Sequence, residues 1–294
     1  MPIVFRTYNS NPLFSEDYYS LRNFLIRLDS HNYHFGRWDW MITHGWLDAS
    51  GLPKIGLWED NEKLVAVATY DTGLGKAFLL TAAGYGNLKE EMLLYAKGAL
   101  AKNGKFQVLV LDGDTQFQDI AARNGFIPTQ DKECDAIYPI DVEKIYYALP
   151  EGFSITSMGE TFDLYKYGRV LWKGFNHELN GEGPFSPDDE QNGRDSFDRP
   201  NVNLDLKIAV VAPNGDFVSY CGMWQDSASH SALVEPVATD PAYRKMGLGR
   251  AAVLEAVRRC GILGAKRAYV GSSQQFYYRI GFRPYATSTF WEEK

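Results

Sequence analysis

Residues 237–250 read VATDPAYRKMGLGR, and their types and spacing suit a phosphorylated ligand. An apolar run, Leu233–Ala238, passes through a turn at Pro241 into a loop carrying Arg244, Lys245, Met246, Gly247, Leu248, Gly249 and Arg250. Glycines let the backbone approach a ligand, and the unpaired N–H groups of a helix's first turn attract an anion. Arg244 and Arg250 would add charge-assisted hydrogen bonds, so a pyrophosphate is the natural occupant. The charge distribution agrees. Arg244, Lys245, Arg250, Arg258, Arg259, Lys266 and Arg267 stand against one acid, Glu255, in a chain of net charge −7. A compact basic patch on an acidic protein fits a small polyanion, although Arg258, Arg259 and Arg267 read better as a solvated helix face.

Two further residues could handle protons. Residues 276–282, FYYRIGF, place Tyr277 four positions before Gly281, on a short helical stretch. Glu235 lies two positions before Val237, and strict strand alternation would put Glu235, Val237 and Thr239 on one face. A carboxylate there could accept a proton, directly or through water. It could equally be a strand-end acid that only hydrogen-bonds, with Pro236 disturbing the ladder. Asp226 and His230 are weaker candidates. His31, His34, His44 and His177 show no metal-ligand spacing, so no metal is expected.

The elements that must position these residues occur twice. Residues 54–70 (KIGLWEDNEKLVAVATY) and 207–224 (KIAVVAPNGDFVSYCGMW) are both β-rich runs about a polar turn, which reads as a hairpin. Helical stretches follow at 88–102 and 248–262, then short apolar runs at 106–111 and 267–271, then FQDIAARNGFIP (117–128) and QFYYRIGFRP (275–284). Two copies of one α/β unit, joined near Asp141–Pro150, describe the chain.

The pattern resembles the GNAT superfamily of acyl-CoA-dependent N-acyltransferases. Residues 244–249, RKMGLG, fit that family's cofactor loop Q/R-x-x-G-x-G/A, and Tyr277, Gly281 and Phe282 fit its terminal Tyr and Gly-Phe. The resemblance implies an α/β fold with a mixed sheet in two tandem GNAT-like domains. Residues 1–145 would be a degenerate copy and 146–294 the copy with the acetyl-CoA site. It also implies roles. Val237 and Thr239 would pair through their backbone with the pantetheine arm, as an added strand does. The amides from Arg244 to Arg250 would hold the pyrophosphate, and Tyr277 would protonate or hydrogen-bond the departing thiolate. Ser272 or Ser273 would stand where the family often has Asn. Direct attack in a ternary complex is favoured, since no Cys lies in the motifs. A non-catalytic acyl-CoA sensor is the alternative.

Alignment of Tyr85 with Tyr243 explains why the first copy reads as silent. Gly86 replaces Arg244, Lys89 and Glu91 replace the two glycines, and Ala121 replaces Tyr277. Carboxylates at a helix start repel a pyrophosphate. That half is expected to be a scaffold that could shape the acceptor pocket. The acidic stretch 176–199 (Glu178, Glu182, Asp188, Asp189, Glu190, Asp195 and Asp198 against two arginines) reads as a solvated loop or as a lid attracting a cationic amine.

Composition bounds the rest. A hydrophobic share of 45% is ample for packed cores. Three scattered cysteines point to a reducing compartment, expected to be the cytoplasm. No apolar run reaches the roughly 18 residues that span a bilayer, and the start has no signal-peptide pattern. The acidic balance argues against a nucleic-acid partner. A small-molecule amine is the expected partner, and a homo-oligomer remains open.

Overall fold

The computed structural model describes residues 2–186 and 197–294. The chain forms two compact units: Met1–Asp135 with Pro284–Lys294, and Ala136–Arg283.

The first unit carries helices α1 (Glu16–Leu28), α2 (Phe35–Thr43), α3 (Lys89–Ala99) and α4 (Thr115–Arg123). Its strands β1 (Val4–Thr7), β2 (Gly56–Asp60), β3 (Lys63–Tyr70) and β4 (Lys76–Thr81) run antiparallel in sequence order. β4 is parallel to β5 (Gln107–Leu111) only at Lys76 and Ala77, after which the two strands part. Strand β6 (Phe126–Pro139) begins in this unit. The fully buried Trp38, Trp58, Tyr33, Tyr70 and Phe78 anchor a core in which each large side chain contributes roughly 2–3 kcal/mol.

The second unit repeats the order. It carries β7 (Ser154–Ser157), α5 (Leu164–Gly174), β8 (Lys207–Val211), β9 (Phe217–Gln225), β10 (Ser231–Thr239), α6 (Leu248–Ile262), β11 (Arg267–Val270) and α7 (Gln275–Arg279). Asp163 caps α5 by accepting from the Lys166 N–H at 2.9 Å, which satisfies one of the helix's orphan donors. α6 can nestle into its sheet because Ala252 and Ala256 are small and fully buried there beside Val253 and Val257. α5 covers the other side with a smaller cluster around Leu164, Val170, Phe217 and Tyr220.

The closing strands differ from the sequence expectation. β12 (Arg283–Glu293) follows α7 in the chain, yet it pairs antiparallel with β5 of the first unit. The end of β6, Ala136–Pro139, pairs antiparallel with β11 of the second unit. The expected boundary at 145/146 therefore falls at 135/136, and residues 284–294 return to the first unit. Each copy's last strand completes a ladder far away in sequence, a relation that local pattern does not encode.

Among the described residues no helix is long and apolar enough to cross a membrane, and no group of three or more His, Cys, Asp or Glu could hold a metal ion.

Candidate active site

β10 pairs with β11 in parallel only from Ser231 to Leu233. Beyond that point β10 has lost its neighbour on one side while keeping β9 on the other. The Asp240 N–H donates to the Val218 carbonyl on β9. In an antiparallel ladder alternate residues face the same neighbour, so Ala238 and Asp240 face β9 while Val237 and Thr239 face the open side. The Val237 backbone and the Thr239 N–H are thus offered to an extended ligand, while the Thr239 carbonyl is held by Arg244.

Two glycines start α6 for different reasons. Gly247 caps the helix at φ +82°, a left-handed conformation that suits glycine, with nothing within 4 Å of where a Cβ would stand. Gly249 is glycine for lack of room: its Cβ would meet Thr239 Oγ1 at 3.0 Å and the Phe276 ring at 3.4 Å. The first-turn N–H groups of α6 have no partner within the helix and form an anion site.

These features border a pocket of about 770 Å³. Of the residues expected at the cofactor, Val237, Thr239, Arg244, Lys245, Gly247, Leu248, Gly249, Arg250 and Tyr277 line it. Met246 is 41% exposed and does not. Ser272 does not either; its hydroxyl accepts from the Gln274 N–H and shapes the entry to α7. Four cations line the pocket, the fourth being Arg279, and no carboxylate does. Sequence reasoning missed Arg279 and Gln274, although both flank Tyr277. It also missed Gly174–Asn176 at the end of α5, for which no local signal existed.

The Arg244 side chain is engaged in a way its loop position did not suggest. Its guanidinium donates to the Thr239 carbonyl (3.2 Å), the Gly174 carbonyl (2.8 Å) and Asn176 Oδ1 (2.7 Å). It therefore ties the end of β10 to the end of α5. Gly174 permits this approach, since a Cβ there would stand 2.6 Å from that of Ala238. Arg250 donates to the Tyr146 carbonyl at 2.8 Å. Lys245 and Arg279 have no ion pair among the described residues and remain available to phosphates.

Tyr277, and not Tyr278, lines the pocket. Its ring packs edgewise on Phe276 and Phe282, and 7% of the residue is exposed. Burial pushes its hydroxyl well above the ordinary tyrosine value, and the nearby Cys221 thiol and Glu235 carboxylate push the same way. The hydroxyl is a proton donor at neutral pH.

Glu235 departs from expectation. The β9–β10 register slips between Val234 and Val237, leaving one extra residue on β10. Before the slip Ala232 and Val234 face α6, and after it Val237 does. Alternation therefore places Glu235 on the α5 face, opposite Val237 and Thr239, and it does not line the pocket. Its carboxylate acts electrostatically on the buried Tyr167 hydroxyl of α5, which is raised first by burial and then by Glu235. Gly222 makes room for the bulge, since a Cβ there would meet the Glu235 carbonyl oxygen at 2.5 Å.

The corresponding helix start in the first unit is occupied by its own side chains. Glu91 accepts from Trp58 Nε1 at 2.8 Å, Glu90 is held by Arg123 and Asn124, and Lys89 pairs with Asp114.

Comparison with known proteins defines the class. Residues 172–282 match the family model of the Acetyltransferase (GNAT) family. The chain carries a GNAT domain there and is an acyltransferase. No curated protein matches the sequence. Among solved structures, a GCN5-related N-acetyltransferase from Sphaerobacter thermophilus is similar at 12% identity and a TM-score of 0.61, with 99% of this chain and 95% of that one covered. A tandem GNAT protein from the clavulanic acid biosynthesis pathway is similar at 12% identity and 0.60, with 99% and 98% covered. The fold along the whole chain is that of tandem GNAT proteins.

Proposed function

We propose that the second unit transfers an acetyl group from acetyl-CoA to a primary amine of a small, cationic acceptor. The observation that carries this reading is a pocket with four cations and no carboxylate, set where β10 offers an unpaired edge. The α6 amides with Lys245 and Arg279 would take the phosphates, and the edge at Val237 and Thr239 would take the pantetheine amides.

In this reading the neutral amine attacks the thioester carbonyl carbon within a ternary complex. The tetrahedral intermediate then collapses, the C–S bond breaks, and the CoA thiolate takes the Tyr277 proton. The amine's excess proton passes to Glu235, through water, because Glu235 lies on the α5 face rather than beside Val237. The described acids that follow α5, Glu178 and Glu182, are paired with Lys173 and His177 and would exchange those partners for a cationic acceptor. Asp188, Asp189, Glu190 and Asp195 lie outside the described residues.

The test is a panel of amines, including polyamines, amino sugars and aminoglycosides, assayed for CoA release from acetyl-CoA. Release with at least one amine and none with alcohols supports the reading. Release with alcohols alone refutes it.

A further inference from the structure

Lys207 is a lysine with 3% of its surface exposed, at the first position of β8. No step above uses it, and a buried ammonium needs a structural or functional reason. Its amine donates to the Met223 carbonyl at 2.9 Å. β8 begins at Lys207, paired with Gly222, and the preceding residues form the 3-10 turn Leu204–Leu206. No β8 residue therefore faces Met223, and the lysine's own amine takes the place of the missing strand. The same ammonium lies 3.6 Å from the centre of the Trp224 ring, a cation–π contact in a dry setting. Trp224 in turn donates its indole N–H to the Glu235 carbonyl at 3.1 Å. That carbonyl belongs to the bulge, which Gly222 lets settle against β9.

We infer that Lys207 and Trp224 are positioning residues, which hold the β10 bulge so that the open edge after it, starting at Val237, is aimed at the acyl end of the cofactor. The inference rests on the proposed acetyl-CoA reading and adds a cause to it. The bulge flips β10 by one residue and so decides which backbone groups face the open side. A bulge is a locally unpaired structure, and it keeps one geometry only if its freed groups are held. Here the holding groups come from β8 and β9, and neither Lys207 nor Trp224 lines the pocket. Neither residue touches the reacting atoms.

The test needs no acceptor. Acetyl-CoA carrying ¹³C at the thioester carbonyl is titrated into wild type, Trp224→Phe and Lys207→Met, with affinity from calorimetry and carbonyl polarisation from the ¹³C resonance. Trp224→Phe keeps a ring beneath the ammonium and removes only the donor to Glu235. Lys207→Met is the severer change, since it leaves the Met223 carbonyl buried without that donor. The expected result is a carbonyl resonance displaced from its free value in wild type. In Trp224→Phe most of that displacement is lost while acetyl-CoA affinity stays within about threefold, because the phosphate site is on a separate element. Three results overturn the inference: an undisplaced wild-type resonance, an unchanged displacement in Trp224→Phe, or a loss of affinity and melting temperature in step with it. Absence of acetyl-CoA binding to wild type would instead overturn the functional reading itself.

Discussion

Gly249 of α6 lies against Thr239 of β10 so closely that an added Cβ would stand 3.0 Å from the threonine hydroxyl. The helix start and the open strand edge are thereby locked at one separation, and the pocket between them takes its width from that contact. Gly249→Val would drive its branches into Thr239 and Phe276 and push α6 off the strand. Acetyl-CoA affinity, measured by calorimetry, should fall at least tenfold with the fold retained. Gly247→Ala acts differently, through the φ of +82°, and should cost about 1 kcal/mol of stability by thermal melting. Gly247→Asn should recover most of that loss, because asparagine tolerates the left-handed region.

Tyr277→Phe should lower kcat by ~10²-fold with acetyl-CoA affinity nearly unchanged, the magnitude usual for a positioned acid. Tyr278→Phe should change kcat by no more than a few-fold, since that ring does not line the pocket. The pH profile has a definite sign. Burial first, then Cys221 and Glu235, raise the Tyr277 hydroxyl above its ordinary 10.0, so the proton-donating form persists through the alkaline range. Steady-state kinetics should show no alkaline limb that disappears in Tyr277→Phe below pH 10.0.

Glu255 gives the clearest pH dependence of stability. Burial pushes its carboxyl up, but hydrogen bonds from Arg258, Arg259 and Tyr147 outweigh this and hold it below the usual carboxylate range. A depressed folded value means stability that is present above the unfolded value and lost as pH falls through the folded one. Glu255→Gln should cost about 2 kcal/mol at pH 7, reduced from a fully buried pair because both arginines are partly exposed. The difference from wild type in denaturant melts should shrink below about pH 4.

The parts of this site legible in the sequence were those written locally. RKMGLG carries its own reasons, since the left-handed turn needs Gly247 and the tight approach needs Gly249. The repeat was legible because hairpin, helix and strand recur in the same order. What sequence could not supply were relations between distant residues. Alternation placed Glu235 beside Val237, whereas the bulge opposite Gly222 turns it to the other face. The end of α5 enters the pocket through Gly174 packed on Ala238, and nothing near residue 174 announces this. Arg244 looked like a phosphate ligand, yet its guanidinium already holds Thr239, Gly174 and Asn176. β12 looked like part of the second copy because it follows α7, while its ladder partner is β5.

The central claim is a single acetyl-CoA site per chain, built around the start of α6. Calorimetric titration of acetyl-CoA into wild type and Gly247→Glu tests it most directly. The glutamate would set a carboxylate against the pyrophosphate and should weaken binding by several kcal/mol, about 3. The account predicts one site per chain in wild type and none detectable in the variant, because Glu90, Glu91 and Lys89 fill the first unit's corresponding helix start. Two equivalent sites in wild type, or undiminished binding to Gly247→Glu, would contradict it.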